Sequence, residues 1–213
     1  MKSKWALLAL GLSFTGACWA APIDDLVLAA ELDDGYNVSK LLQRGVDPNK
    51  PDARGRYALG VALREESDKA LDSLLAHPQL DILAVNSNGE TALMLAAIKG
   101  KLSWVQKIVK KGAPVNTAGW TPLHYACSGP DNGVAAWLLT QGADINARSP
   151  NGSTPLMMAA RYGALDLPAQ LLRAGADVNL RNEQGLSAAD FADKAGRDEL
   201  QAKLLKLMAK SGG

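Results

Sequence analysis

One phrase returns along this chain at a near-constant interval, and it restricts the fold more than any other feature. Thr121-Pro122-Leu123-His124 has counterparts in Thr91-Ala92-Leu93-Met94 and Thr154-Pro155-Leu156-Met157. Small residues follow each phrase (Ala96-Ala97, Ala126-Cys127, Ala159-Ala160), then an apolar pair (Ile108-Val109, Leu138-Leu139, Leu171-Leu172). Three residues later stands Gly-Ala, at Gly112-Ala113, Gly142-Ala143 and Gly175-Ala176. The glycines that open the units, Gly55, Gly89, Gly119, Gly152 and Gly185, lie 34, 30, 33 and 33 residues apart. Self-similarity at such a period means one supersecondary unit per repeat. Each unit is too small to bury its apolar face alone and does so by stacking on its neighbours.

The residues of one unit spell two short helices. Thr is a good N-cap, and Pro after it suits the first helical position, where no N–H is needed. Leu123 with Ala126, and Leu156 with Ala159, then face inward one turn apart. Trp104, Val105, Ile108 and Val109 mark a second helix by their spacing. Gly112, Gly142 and Gly175 close it, because glycine accepts the left-handed conformation at a helix C-terminus. Asp144-Ile145-Asn146 and Asp177-Val178-Asn179 lead into a turn that ends at the next unit's glycine.

The order Gly-x-Thr-Pro-Leu-His, Ala-Ala, Leu-Leu, Gly-Ala-Asp-x-Asn resembles the ankyrin repeat. The resemblance runs over about residues 22–210 and implies an all-α solenoid of helix–turn–helix units with short hairpin-like fingers. Six units are expected, at about 22–50, 51–84, 85–117, 118–147, 148–180 and 181–210, followed by a tail at 211–213. The first lacks the Thr-Pro opening and reads as a cap with an acidic start (Asp24, Asp25, Glu31, Asp33, Asp34). The second is degenerate, with Tyr57-Ala58-Leu59-Gly60 for the phrase and His77-Pro78 for the closing Gly-Ala. The last has a polar second helix and reads as the opposite cap, shielding the final apolar face. Two departures stand out. Asn116 to Thr121 is five steps where Asn49 to Tyr57 and Asn146 to Thr154 are eight, so one finger is shortened. Pro168 falls within a second helix, in the first turn, where proline is tolerated.

Residues 1–21 differ from the rest. Lys2 and Lys4 precede an apolar stretch from Trp5 to Gly16, and Ala17-Cys18-Trp19-Ala20-Ala21-Pro22 offers small residues for cleavage. This is the layout of a secretory signal peptide, cut after Ala20 or Ala21, and the stretch falls short of the ~20 residues of a membrane span. The expected location is the periplasm. Phe14-Thr15-Gly16-Ala17-Cys18 loosely resembles a lipoprotein box and makes a lipid anchor at Cys18 the less favoured alternative. Loss of the leader turns 23 basic against 22 acidic residues into 21 against 22, so no polyanionic partner, nucleic acid included, is implied. Cys127 then remains alone, in a small-residue slot, and reads as a buried inert thiol.

No nucleophile motif, phosphate-cradling loop or metal-ligand spacing accompanies His77 and His124, so neither catalytic residues, metal nor cofactor are assigned. The chain is read as a binding protein, not an enzyme, and as a monomer when free. In the ankyrin family the partner commonly lies on the concave face, made by finger tips, the residue before Thr-Pro and the end of the first helix. Those positions are Arg54, Arg56 and Arg64, then Ile98 and Lys99, Trp120, Asn151, Arg161 and Tyr162, and finally Glu183 and Leu186. Trp120 adjoins the short finger and is either an exposed anchor or folded over to fill the gap. Trp104 is placed in the core. Lys99, Lys101, Lys107, Lys110 and Lys111, in a stretch without acids, form a basic middle beside the acidic first unit that could steer an oppositely patterned partner, although Lys107, Lys110 and Lys111 are better read as a solvated helix back and loop. Resemblance to exported bacterial ankyrin proteins implies one of two roles: an immunity or inhibitor protein against an envelope-acting toxin, or an accessory protein for an exported enzyme such as a catalase. A rival of another class is an enzyme or small-ligand binder with a pocket at the short finger.

Overall fold

The computed structural model describes residues 22–211. The leader assigned to residues 1–21, with Cys18, lies outside the described residues, as do 212 and 213. The chain is a row of helix pairs: α1 (Pro22–Glu31) with α2 (Gly35–Gln43), α3 (Ala58–Arg64) with α4 (Asp68–Ala76), α5 (Ala92–Ile98) with α6 (Leu102–Lys110), α7 (Pro122–Ala126) with α8 (Asn132–Thr140), α9 (Pro155–Tyr162) with α10 (Leu167–Arg173), and α11 (Ala188–Asp193) with α12 (Asp198–Ser211). The first member of each pair packs on the first member of the next, all along the chain. No strand occurs among the described residues. Isolated antiparallel bridges, Pro51 to Tyr57, Val85 to Thr91 and Arg181 to Ser187, pin three of the fingers that join the pairs.

The repeated phrase does its work at the helix starts. Thr91, Thr121, Thr154 and Ser187 each accept a hydrogen bond from the backbone N–H three residues on, and the side chain there accepts one back from the cap's own N–H. Such a box satisfies two amides the first turn would otherwise leave open, and each cap contributes about 1 kcal/mol. Tyr57, which replaces the threonine in the degenerate unit, makes no side-chain cap. Pro168 sits in the first turn of α10, where it displaces no helical hydrogen bond.

Between the helices lies one continuous core. Leu93, Leu123, Leu156 and Leu171 are fully buried, as are the alanines that let neighbouring helices close up. Trp104 lies in this core, with its indole N–H donating to Asp68 of the preceding pair. Cys127 is wholly buried, and burial pushes its thiol pKa far up, so it stays protonated. Trp137 lies half-buried against the same core.

The loops after the outer helices are stitched by asparagine. Asn49, Asn116 and Asn146 accept from the backbone N–H of Asp81, Asp144 and Asp177 in the following unit, at 2.8, 2.9 and 2.9 Å. The aspartates Asp47, Asp144 and Asp177 accept from the amide two residues on and close the local turn. The Asp-x-Asn of the repeat is thus one turn-former and one bracket to the next unit.

Candidate protein-binding face

Four fingers share one closure. Asp52, Asn86, Ser149 and Asn182 each donate their backbone N–H to the carbonyl four residues on, at 2.9, 3.0, 2.9 and 2.9 Å. In three of them the same side chain accepts two amides from inside the turn: Asp52 from Arg54 and Arg56, Asn86 from Asn88 and Glu90, Asn182 from Gln184 and Leu186. Burial opposes the charge of Asp52, but the backbone and side chain of Arg56 prevail and hold its carboxyl below the usual range.

The remaining finger, between the third and fourth units and shortened by three residues, is built otherwise. Thr117 Oγ1 donates to the Trp120 carbonyl at 2.8 Å, across a turn that Gly119 makes at φ +73°. A Cβ on Gly119 would come within 3.3 Å of Pro150 Cγ in the next finger. Trp120 is therefore delivered to the start of α7 with little freedom. It neither stands out in solvent nor fills the core: it is half-buried, with its ring edge-on to His124 at 5.3 Å and 80°.

His124 anchors this arrangement. Its Nδ1 faces the Thr121 N–H at 3.2 Å, so Nε2 carries the proton and donates to the Ser153 carbonyl of the next unit at 2.9 Å. Burial lowers its pKa below 6.5, and the hydrogen bond to Ser153 only partly opposes this. The imidazole is neutral and structural.

Beside Trp120 opens a depression of about 370 Å³, lined by Ile98 from the end of α5, Trp120, His124 and Tyr125 of α7, Ser128, and Met158 and Tyr162 of α9. The lining is almost wholly apolar although it faces solvent: Tyr162 is 51 % exposed and Ile98 38 %. Its polar atoms are largely engaged. Tyr125 donates its hydroxyl to Glu90 at 3.0 Å, and burial, with that carboxylate, pushes its pKa up to about 12. Asn86 first, then Tyr125, hold the Glu90 carboxyl below its usual value. Ser128 donates to the His124 carbonyl at 3.0 Å. A second cleft, between Tyr57, Leu63 and Leu95, holds only about 50 Å³ and is too narrow for a side chain.

The structure brings Ile98, Trp120 and Tyr162 to this one depression, with Arg161 stacked over the Tyr162 ring at 5.1 Å. It scatters the other predicted residues. Arg54, Arg64, Asn151 and Glu183 are exposed along the same run of fingers and helix ends. Arg56 is not free for a partner: it pairs with Asp52 at 2.8 Å and Glu31 at 2.9 Å. Lys99 is likewise held by Glu66 and the Arg64 carbonyl, at 3.4 and 2.9 Å. Leu186 is half-buried against the core. Sequence reasoning misses Tyr125 and Met158, although each lies one residue past a recognised phrase.

Several lysines of the basic middle are engaged by the preceding unit. Lys101 pairs with Glu66, Lys107 with Asp72, and Lys111 donates to the His77 carbonyl. The acids that answer these lysines sit in the preceding unit, about one period back, and stacking brings them alongside. Lys101 first, then Lys99, hold the Glu66 carboxyl below its usual range. Lys110 stays exposed and makes no ion pair among the described residues.

Comparison with known proteins agrees with this architecture. A family model described as ankyrin repeats (3 copies) matches residues 26–118, 62–149, 114–182 and 131–210. Among curated proteins, the nuclear factor NF-kappa-B p105 subunit of Gallus gallus is 34 % identical over 133 residues, covering 59 % of this chain and 14 % of that protein. Rabankyrin-5 of Homo sapiens is 31 % identical over 154 residues, covering 60 % of this chain and 13 % of that protein. The chain therefore spans about a seventh of these relatives. Among solved structures, a chain of the Bd0816 predatory endopeptidase from Bdellovibrio bacteriovorus in complex with immunity protein Bd3460 superposes with a TM-score of 0.73 at 28 % identity, covering 85 % of this chain and 97 % of that one. The ankyrin repeat domain of Bcl-3 superposes with a TM-score of 0.68 at 30 % identity, covering 83 % and 81 %. Since the family model's overlapping windows run from residue 26 to residue 210, this chain belongs to the ankyrin repeat family.

Proposed function

We propose that this chain is an exported immunity or inhibitor protein that binds and blocks an enzyme acting in the cell envelope. Ankyrin repeats mediate protein–protein interaction, and a preformed stacked surface loses little entropy on docking. The observation that carries the specific reading is the match, over 97 % of the other chain's length, to a chain from a complex of an endopeptidase with an immunity protein. The apolar depression at Trp120 supports it as the place where such a partner is held. The leader over residues 1–21 supports delivery to the periplasm.

The test is a capture from the envelope fraction of the producing cell, followed by assay of the retained enzyme. The reading predicts a retained enzyme whose activity falls as the chain is titrated to equimolar ratio. An enzyme retained with unchanged or raised activity, a catalase for example, supports the accessory role instead. No retained protein contradicts both. A periplasmic chain whose mature mass starts at Ala21 or Pro22 is expected from the export reading, and an uncut chain retaining Met1 in the cytoplasm contradicts it.

A further inference from the structure

The depression carries a chemical preference, because its two kinds of charge are treated differently. The nearby negative charge is already used: Glu90 accepts from Asn86 at 2.8 Å, Tyr125 at 3.0 Å and Asn88 at 3.5 Å. The positive charge is not. Arg161 lies over the Tyr162 ring at 5.1 Å and makes no ion pair among the described residues, unlike Arg56 and Lys99 on the same face. The walls include three aromatic rings, of Trp120, Tyr125 and Tyr162, together with Met158. Rings packed against such walls prefer edge-on or offset contacts, and the methionine adapts to what remains. At about 370 Å³ the space is near the lower limit of ligand-sized cavities, roughly 300–1,000 Å³, and suits one side chain, not a whole helix.

We propose that the depression receives a single aromatic side chain of the partner protein, and that Arg161 pairs with a carboxylate carried next to it on that partner. This rests on the protein-binding reading above and adds to it the chemistry of the anchor. Guanidinium and carboxylate match in a planar, two-bonded contact, and an aromatic residue seated in a water-excluding pocket is the usual centre of an interface.

The experiment needs no partner. N-acetyl-tryptophan, which has a carboxylate, and N-acetyl-tryptophanamide, which does not, are titrated into the full chain and followed by saturation-transfer and backbone-amide NMR. The acid is expected to bind about two- to fivefold more tightly than the amide, as one exposed charge pair provides. Shifts are expected at Trp120, Tyr125, Met158 and Tyr162. Arg161→Gln should bring the acid to the level of the amide and leave the amide unchanged, while Tyr162→Ala weakens both. Equal binding of acid and amide to the wild type, an undiminished preference in Arg161→Gln, or binding of neither probe overturns the proposal. Failure of this titration with an enzyme still captured from the envelope sinks only this inference. Failure of that capture sinks the protein-binding reading itself.

Discussion

His124 joins two units through a pair of hydrogen bonds that only the neutral ring can make in this arrangement, one accepted at Nδ1 and one donated from Nε2. Its pKa in the folded chain lies below 6.5, so on acidification the unfolded chain takes up a proton that the folded chain refuses. The stability from this group is whole above pH 6.5 and declines as the pH falls below it. Urea denaturation should show wild type losing stability as the pH falls from 6.5 toward 5.5, before Glu90, whose ordinary value is 4.5, begins to take up protons in the unfolded chain. His124→Gln should lose that slope and be less stable at neutral pH by about 1–3 kcal/mol, since a buried carbonyl or amide goes unpaired. Cys127 offers a second check at the same scale. Its buried thiol should react with iodoacetamide only when the fourth unit opens, and rapid reaction under native conditions would contradict its burial in the stack.

At the scale of the element, helix starts were legible in the sequence and cross-unit partners were not. Thr91, Thr121 and Thr154 announce caps because capping is a local matter between residues three apart. Thr121→Ala and Thr154→Ala should each cost about 1 kcal/mol in chemical denaturation. The pairs Lys101 with Glu66, Trp104 with Asp68 and Tyr125 with Glu90 lie one period or slightly more apart, and only stacking makes them neighbours. The period itself held the clue. A charge and its opposite placed about one period apart sit side by side in such a row, which is why Lys99, Lys101 and Lys107 find carboxylates in the preceding unit. The short finger was legible as a missing three residues, but its consequence was not. That Trp120 would wall a depression depends on Gly119, on Pro150 in the next finger and on the ring of His124. Gly119→Ala forces a side chain into a φ of +73° against Pro150 and should destabilise the chain by about 1 kcal/mol or more. It should also change the Trp120 fluorescence environment in a chain that starts at Pro22, and so lacks Trp5 and Trp19, and carries Trp104→Phe and Trp137→Phe. An unchanged emission would mean that the finger does not set the tryptophan.

For the whole molecule, stability is a sum of unit and neighbour terms along one row. Removing α12 strips the apolar cover from α11, on which it packs, and leaves Leu204's place in the core open. A chain ended at residue 197 is expected to aggregate or to unfold at markedly lower urea than the full chain. The architecture was readable from the sequence because repetition multiplies weak local signals: one Thr-Pro-Leu-His is a coincidence, and a series in step with Gly-Ala is a fold. Function is less readable for the same reason, since the repeated residues serve the stack and only the departures from the repeat are free to serve a partner. Ile98, Trp120 and Tyr162 meet at the depression beside α5, α7 and α9, where Ile98 and Tyr162 stay exposed to solvent. The direct test is capture from the envelope fraction with wild type, with Trp120→Ala, Arg161→Ala and Tyr162→Ala combined, and with a control carrying Leu205→Ala and Lys206→Ala on the outer helix α12. Wild type and the control should retain the same enzyme, and the triple variant, still folded by circular dichroism, should lose it. Equal retention by the triple variant would contradict the claim that this face binds the partner.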